Sequence, residues 1–187
     1  MLTHNAKLGS YEWLFTKYDK LGRVAYTGLW TDPQQLGRYD LQLQVDEYAL
    51  TPYERRSATA LFATQGAGVN YTCQMFPTAN LDIYTVNYYD DYDFSHPGVT
   101  VPVATSYGDV LAAPADPRSL KGLPTGSVVR TLNTNTWTYI LTGYDAKGRT
   151  VWSGQRNNYL AYSQASHSKL DFTGKVTASL TEHTKDA

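Results

Sequence analysis

Four histidines, one cysteine and a run of carboxylates are the side chains here most able to do chemistry. His4, His96, His167 and His183 are scattered. No two stand at i, i+2 or i, i+4, the spacings that present two ligands from one element, so no metal site through them is expected. Asp90, Asp91 and Asp93 could offer oxygens to Ca²⁺. Their interval lacks the glycine and distal glutamate of an EF-hand loop, and reads better as carboxylates capping a turn at a strand end. Cys73 is the single cysteine; it can form no internal disulfide and has neither a second cysteine for a metal nor a histidine nearby. Gly66-Ala67-Gly68-Val69-Asn70-Tyr71 lacks the third glycine of a dinucleotide fingerprint, and Gly122-Leu123-Pro124-Thr125-Gly126-Ser127 lacks the lysine of a phosphate cradle and reads as a turn. No Gly-x-Ser-x-Gly elbow is present. With no activated nucleophile, base or metal set, the expectation is a chain that is not an enzyme and carries no cofactor.

The aromatic residues are the other chemical resource: 16 Tyr, 4 Trp and 5 Phe. Tyr26, Trp30, Trp137 and Trp152 could stack on sugar rings from one face of a sheet. The competing reading packs the same rings across strands against Thr and Val. Carbohydrate binding is therefore the alternative function class, with a glycan-active hydrolase third.

The elements that must position these residues announce themselves through a repeated stretch. Thr16 to Gly28 contains Tyr18-Asp19-Lys20-Leu21-Gly22-Arg23, and Thr142 to Gly154 contains Tyr144-Asp145-Ala146-Lys147-Gly148-Arg149. Asp-x-x-Gly has the residue types of a type I turn followed by a left-handed residue. Asp accepts a backbone N–H inside the turn, and Gly takes φ > 0 without steric cost. Read as hairpins, the two copies place Asp19 opposite Arg23 and Asp145 opposite Arg149. Each such cross-strand ion pair is worth a few tenths of a kcal/mol, up to about 1.

Tyr-Asp-x-x-Gly-Arg between short amphipathic strands resembles the YD repeat of the RHS-repeat family of large bacterial surface and secreted proteins. Leu170-Asp171-Phe172-Thr173-Gly174-Lys175-Val176 is similar, as a degenerate third copy with an Asp171–Lys175 pair in place of Asp–Arg. The segments 87–94 and 122–127 also resemble bacterial members. The resemblance implies a piece of a β scaffold in which repeats wind into a long sheet forming a hollow shell, often around a C-terminal toxin domain. It also implies an extracellular or cell-surface setting within a larger exported parent.

Composition fits a single domain over 1–187, and a net charge of −1 gives no reason to expect a nucleic acid or an anionic membrane as partner. No apolar run approaches the roughly 20 residues of a membrane span, and Met1 to Asn5 does not read as a signal peptide. Strands are expected over 11–18, 23–30, 71–76, 81–89, 127–132, 136–144, 149–155 and 175–180, with a frayed tail from Thr181. In the first hairpin, alternation puts Trp13, Phe15, Ala25 and Leu29 on one face, and Leu14, Thr16, Tyr18, Val24 and Tyr26 on the other. In the second it puts Tyr139, Leu141 and Val151 on one face, and Thr142, Tyr144, Thr150 and Trp152 on the other. Thr51-Pro52-Tyr53-Glu54 has the chemistry of a helix start, predicting one inserted helix over about 51–65, and Pro- and Gly-rich residues 95–126 read as a long irregular connection. The fold class expected is all-β: a twisted, mostly antiparallel sheet of YD-type hairpins with one short helix. The leading function is a non-catalytic structural segment of such a scaffold, an excerpt whose partners are the rest of its parent chain and, through sheet edges, other copies of itself.

Overall fold

A computed structural model of the chain describes residues 1–4, 7–47, 52–112 and 119–186. The strands form one large antiparallel sheet and one small two-stranded sheet, as expected for an all-β chain with a single helix among the described residues. The chain divides into two compact units, Met1–Val86 and Asn87–Ala187.

In the first unit, β1 (Leu2–Thr3), β2 (Glu12–Tyr18), β3 (Val24–Thr31) and the start of β6 (Leu81–Tyr89) are hydrogen-bonded in that order. The predicted β2–β3 hairpin forms with Tyr18 opposite Val24, but a bulge follows at once, so Lys17 pairs with Tyr26. The extra residue, Ala25, shifts every later β3 side chain by one face. Tyr26 and Trp30 therefore join the Phe15 side and are buried with it, instead of Tyr26 sharing a face with Leu14 and Tyr18. Gly28 is required where β3 meets β6: a Cβ there would stand 2.1 Å from the Asp82 carbonyl oxygen.

Between β3 and β6 lies the insertion. Asp32 opens it by accepting the backbone N–H groups of Gln34 (2.9 Å) and Leu36 (2.7 Å) on its carboxylate. The helix lies earlier than expected: α1 spans Arg38–Glu47, with Asp40 in its first turn and Leu41 buried. No helix occupies 52–65, and Thr51, the expected cap, lies outside the described residues. Glu54 is instead drawn into the core, and β4 (Phe62–Thr64) pairs with β5 (Ala67–Val69). Gln65 and Gly66 join them with φ of 41° and 89°, the two left-handed residues of a tight hairpin turn. The expected strand over 71–76 is likewise absent. Tyr71 makes one isolated bridge to Arg56, and the N–H groups of Gln74 and Met75 go to the Glu54 carboxylate instead of a neighbouring strand.

The second unit is a meander: β7 (Pro124–Arg130), β8 (Trp137–Tyr144), β9 (Thr150–Asn157), β10 (Tyr162–Leu170) and β11 (Val176–Lys185), each pairing with the next. β7 begins inside the segment expected to be a turn. At Gly143–Tyr144 a bulge places Trp152 opposite Gly143, so Trp152 shares the buried face of Tyr139 and Leu141 and not that of Thr142. β10 and the far half of β11 are additions to the expected strands. The tail expected to fray from Thr181 pairs with β10 as far as Lys185, opposite Tyr162.

The irregular connection lies over one face of this meander; its residues 113–118 fall outside the described set. Gly143 makes room for it, since a Cβ would come within 2.4 Å of Leu111, and Gly126 on β7 makes room for Phe94 just ahead of it, whose ring a Cβ would approach to 2.2 Å. Backbone N–H groups fix it, Ala112 donating to the Tyr144 carbonyl (2.7 Å) and Ser106 to His167 Nδ1 (3.1 Å). Asp91 caps a turn as expected, accepting the Asp93 N–H at 2.9 Å, and Asp90 accepts the Gly122 N–H at 2.6 Å.

Candidate functional site: repeated turns and a buried ion cluster

The three turns share one hydrogen-bond scheme. Asp19 N–H donates to the Arg23 carbonyl (2.9 Å) and Gly22 N–H to the Asp19 carbonyl (3.0 Å). Asp19 Oδ1 accepts the N–H groups of Leu21 (2.9 Å) and Arg23 (3.0 Å), while Oδ2 accepts Arg23 Nε–H at 2.7 Å. In the second copy Asp145 Oδ1 accepts from Lys147 and Arg149 N–H, both at 2.9 Å, and Oδ2 from Arg149 Nε–H at 2.7 Å. In the third, Asp171 Oδ1 accepts from Thr173 N–H (2.8 Å) and Lys175 N–H (3.0 Å). Gly22, Gly148 and Gly174 all adopt the left-handed conformation, at φ of 77°, 74° and 93°. The expected Asp171–Lys175 pair is replaced: Lys175 serves the carboxylate through its backbone, and the side-chain donor is the Thr173 hydroxyl at 2.6 Å.

Burial opposes ionisation of Asp145, but the N–H groups and the Arg149 guanidinium outweigh it and hold the carboxyl below the usual range. Asp171 is held low by the Thr173 hydroxyl first, with backbone N–H groups adding.

Arg149 also reaches beyond its own turn. Its Nη1–H donates to the Asp171 carbonyl at 3.0 Å, so one guanidinium ties the β8–β9 turn to the β10–β11 turn. The first turn is tied differently. Glu54 N–H donates to the Tyr18 carbonyl at 2.7 Å, and Glu54 bridges Asp19 in parallel. The motif tyrosines diverge as well: Tyr144 is buried and donates its hydroxyl to the Pro124 carbonyl at 2.6 Å, whereas Tyr18 is half-buried. Burial raises the Tyr144 hydroxyl above its ordinary value and pushes that of Tyr92, bonded to the Thr142 carbonyl, up to about 12.

The sugar-stacking expectation fails at the rings chosen for it. Tyr26, Trp30, Trp137 and Trp152 are between 0% and 4% exposed, so none presents a face to a ligand. Trp30 packs edge-on against Phe76 and Tyr26 against Phe15. The bulges move Tyr26, Trp30 and Trp152 to the inner faces, and Trp137 is in phase with the buried Tyr139 and Leu141 on β8.

Sequence reasoning missed the most heavily bonded polar group. Lys17 and Glu54 are each 1% exposed and meet at 3.1 Å. Lys17 Nζ–H groups also donate to the Met75 carbonyl (2.8 Å) and Cys73 Sγ (3.3 Å), which uses all three protons. Glu54 Oε2 accepts the Thr72 hydroxyl (2.6 Å) and Gln74 N–H (2.9 Å), and Oε1 accepts Met75 N–H (3.0 Å). Nζ also stands 5.3 Å from the Tyr26 ring centroid, a cation–π distance. Burial drives the Tyr26 hydroxyl far upward, with Cys73 and Glu54 adding. Cys73 is half-buried and borders a cavity of about 500 Å³ that Phe62, Thr64, Gln74 and Ile83 also line. The signal for the buried lysine was present, because Lys17 is in phase with Trp13 and Phe15 on an alternating strand.

Among the described residues no three His, Cys, Asp or Glu side chains gather as metal ligands, and no helix is long and apolar enough to cross a membrane. No family model matches the chain, nor does any curated protein or solved structure.

Proposed function

We propose that this chain is a non-catalytic structural segment of a repeated β scaffold of the RHS/YD type, working at the cell surface or outside the cell within a larger exported protein. The observation that carries the reading is the Arg149 guanidinium, which bonds the carboxylate of its own turn and the backbone of the next hairpin's turn. A side chain with that double role joins successive hairpins, as a repeated sheet requires. The saturated Lys17–Glu54 pair supports a structural role too, since every Lys17 proton already has a partner inside the protein.

The scaffold grows through β11. That strand is ten residues long, is exposed along nearly its whole length and, among the described residues, has β10 as its one neighbour in the sheet. Its outer edge takes a further strand, from the parent chain or from a second copy. Sedimentation velocity over a wide concentration range tests this. Reversible, concentration-dependent association is expected of the isolated chain, and a strictly monomeric species at every concentration contradicts the edge-pairing reading.

A further inference from the structure

We infer that Lys17 and Cys73 form a reversible covalent cross-link when the protein meets a peroxide. The two reactive atoms are already in place, with Lys17 Nζ 3.3 Å from Cys73 Sγ. The thiol hydrogen points elsewhere, toward the Thr78 carbonyl at 3.5 Å, which leaves sulfur lone pairs facing the lysine. Cys73 borders the cavity described above, so a molecule as small as hydrogen peroxide can reach the sulfur. Lys17 is held on the opposite side by Glu54 and by the Met75 carbonyl at 2.8 Å, and cannot swing away.

The chemistry balances in two steps. Peroxide first oxidises the thiol: its O–O bond breaks, one oxygen joins sulfur as Cys73–SOH, and the other leaves as water. Lys17 then passes one ammonium proton to Glu54 Oε1, 3.1 Å away, and the freed nitrogen lone pair attacks sulfur. The S–O bond breaks, and the departing hydroxide takes a second proton from nitrogen to leave as water. One proton stays on nitrogen in the S–N bond and one on Glu54. The pair has lost two electrons to the peroxide, and the buried ion pair has become two neutral groups. A dithiol reverses the link: one thiolate attacks the Cys73 sulfur, the S–N bond breaks and the amine takes up protons from the thiol and Glu54, and the second thiol then displaces Cys73 from the mixed disulfide as the free thiol.

The link ties β2 to the segment carrying Cys73, two parts of the first unit 56 residues apart in sequence. The test treats the intact folded chain with a small excess of hydrogen peroxide, then applies intact mass and peptide mapping before and after dithiothreitol. The expected product is two hydrogen masses lighter than the starting chain, joins the Lys17 and Cys73 peptides, has lost its thiol titre and recovers it on reduction. Cys73→Ser should show no such product. Lys17→Arg, which keeps the charge but lacks a nucleophilic amine, should stop at a sulfenic acid that dimedone traps. If Lys17→Arg does not fold, the wild-type peptide map still decides. A dimedone adduct or a sulfinic acid on the wild-type chain without linked peptides, or a thiol inert to peroxide, would overturn the inference.

Discussion

Replacing Lys17 by Met tests whether the buried pair holds the first unit together. Met fills most of the lysine's volume with no charge, so the perturbation is mainly the loss of the ammonium. Glu54 would then be left inside the protein without its charge partner, with a side chain that is 0% exposed. Removing one partner of a buried ion pair costs about 3–5 kcal/mol, because the remaining charge has no compensation. Glu54 keeps the Thr72 hydroxyl and the N–H groups of Gln74 and Met75, which places the expected loss near the lower end, about 3 kcal/mol. For a chain of this size each kcal/mol lowers Tm by about 2–4 °C, so a fall of roughly 6–12 °C should accompany it. Urea denaturation followed by tryptophan fluorescence gives the free energy. Glu54→Gln and the double variant complete the cycle, and the double should cost less than the sum of the singles by at least about 1 kcal/mol. A loss below about 1 kcal/mol for Lys17→Met, or strict additivity in the cycle, would mean that the pair does not hold the first unit together.

Ala at Gly22, Gly148 or Gly174 should each destabilise by about 1 kcal/mol, because a Cβ is strained at these positive φ values. Leu21→Ala and Lys147→Ala, at the turn tips, should stay within about 0.5 kcal/mol in the same denaturation assay. Arg149→Lys should cost about 1 kcal/mol, since a lysine cannot hold both the Asp145 carboxylate and the Asp171 carbonyl. Hydrogen exchange at residues 171–175 should quicken with it, a change that a loss confined to the first of the two turns would not produce. The depressed Asp145 carboxyl makes a signed pH prediction. Its contribution is complete above the ordinary carboxylate range of about 4 and is lost as pH falls through the lower folded-state value. Asp145→Asn should therefore lower stability at neutral pH, and the gap from the wild-type chain should close as pH falls below about 4.

The turns were legible in the sequence because their determinants are local. Asp accepting N–H groups two and four positions on, and Gly at positive φ, need nothing from the rest of the chain. What followed each turn was not legible. The bulges at Ala25 and Val151 depend on how a hairpin adapts its twist, and one extra residue sent Tyr26 and Trp152 to the opposite face from simple alternation. The Thr51-Pro52-Tyr53-Glu54 pattern is a sound local helix signal, yet tertiary chemistry overrode it. Glu54 meets a lysine 37 residues earlier in the chain, and no local rule can foresee that partner. β10 escaped because Ser, Gln, Ser, His and Ser along it give no apolar alternation, and its place is set by pairing with strands on both sides. Tyr26, Trp30, Trp137 and Trp152 are closed to stacking on a sugar because burial of a ring is decided by register and packing, which the aromatic count does not contain.

The most direct test of the scaffold reading is amide hydrogen exchange resolved along β11, measured at low and high protein concentration. Fast exchange is expected in dilute solution for the β11 amides that face away from β10, with marked protection of the same amides as concentration rises. The β10-facing amides should be protected in both conditions. Outward amides that exchange at one rate at every concentration would contradict the claim that this edge takes another strand.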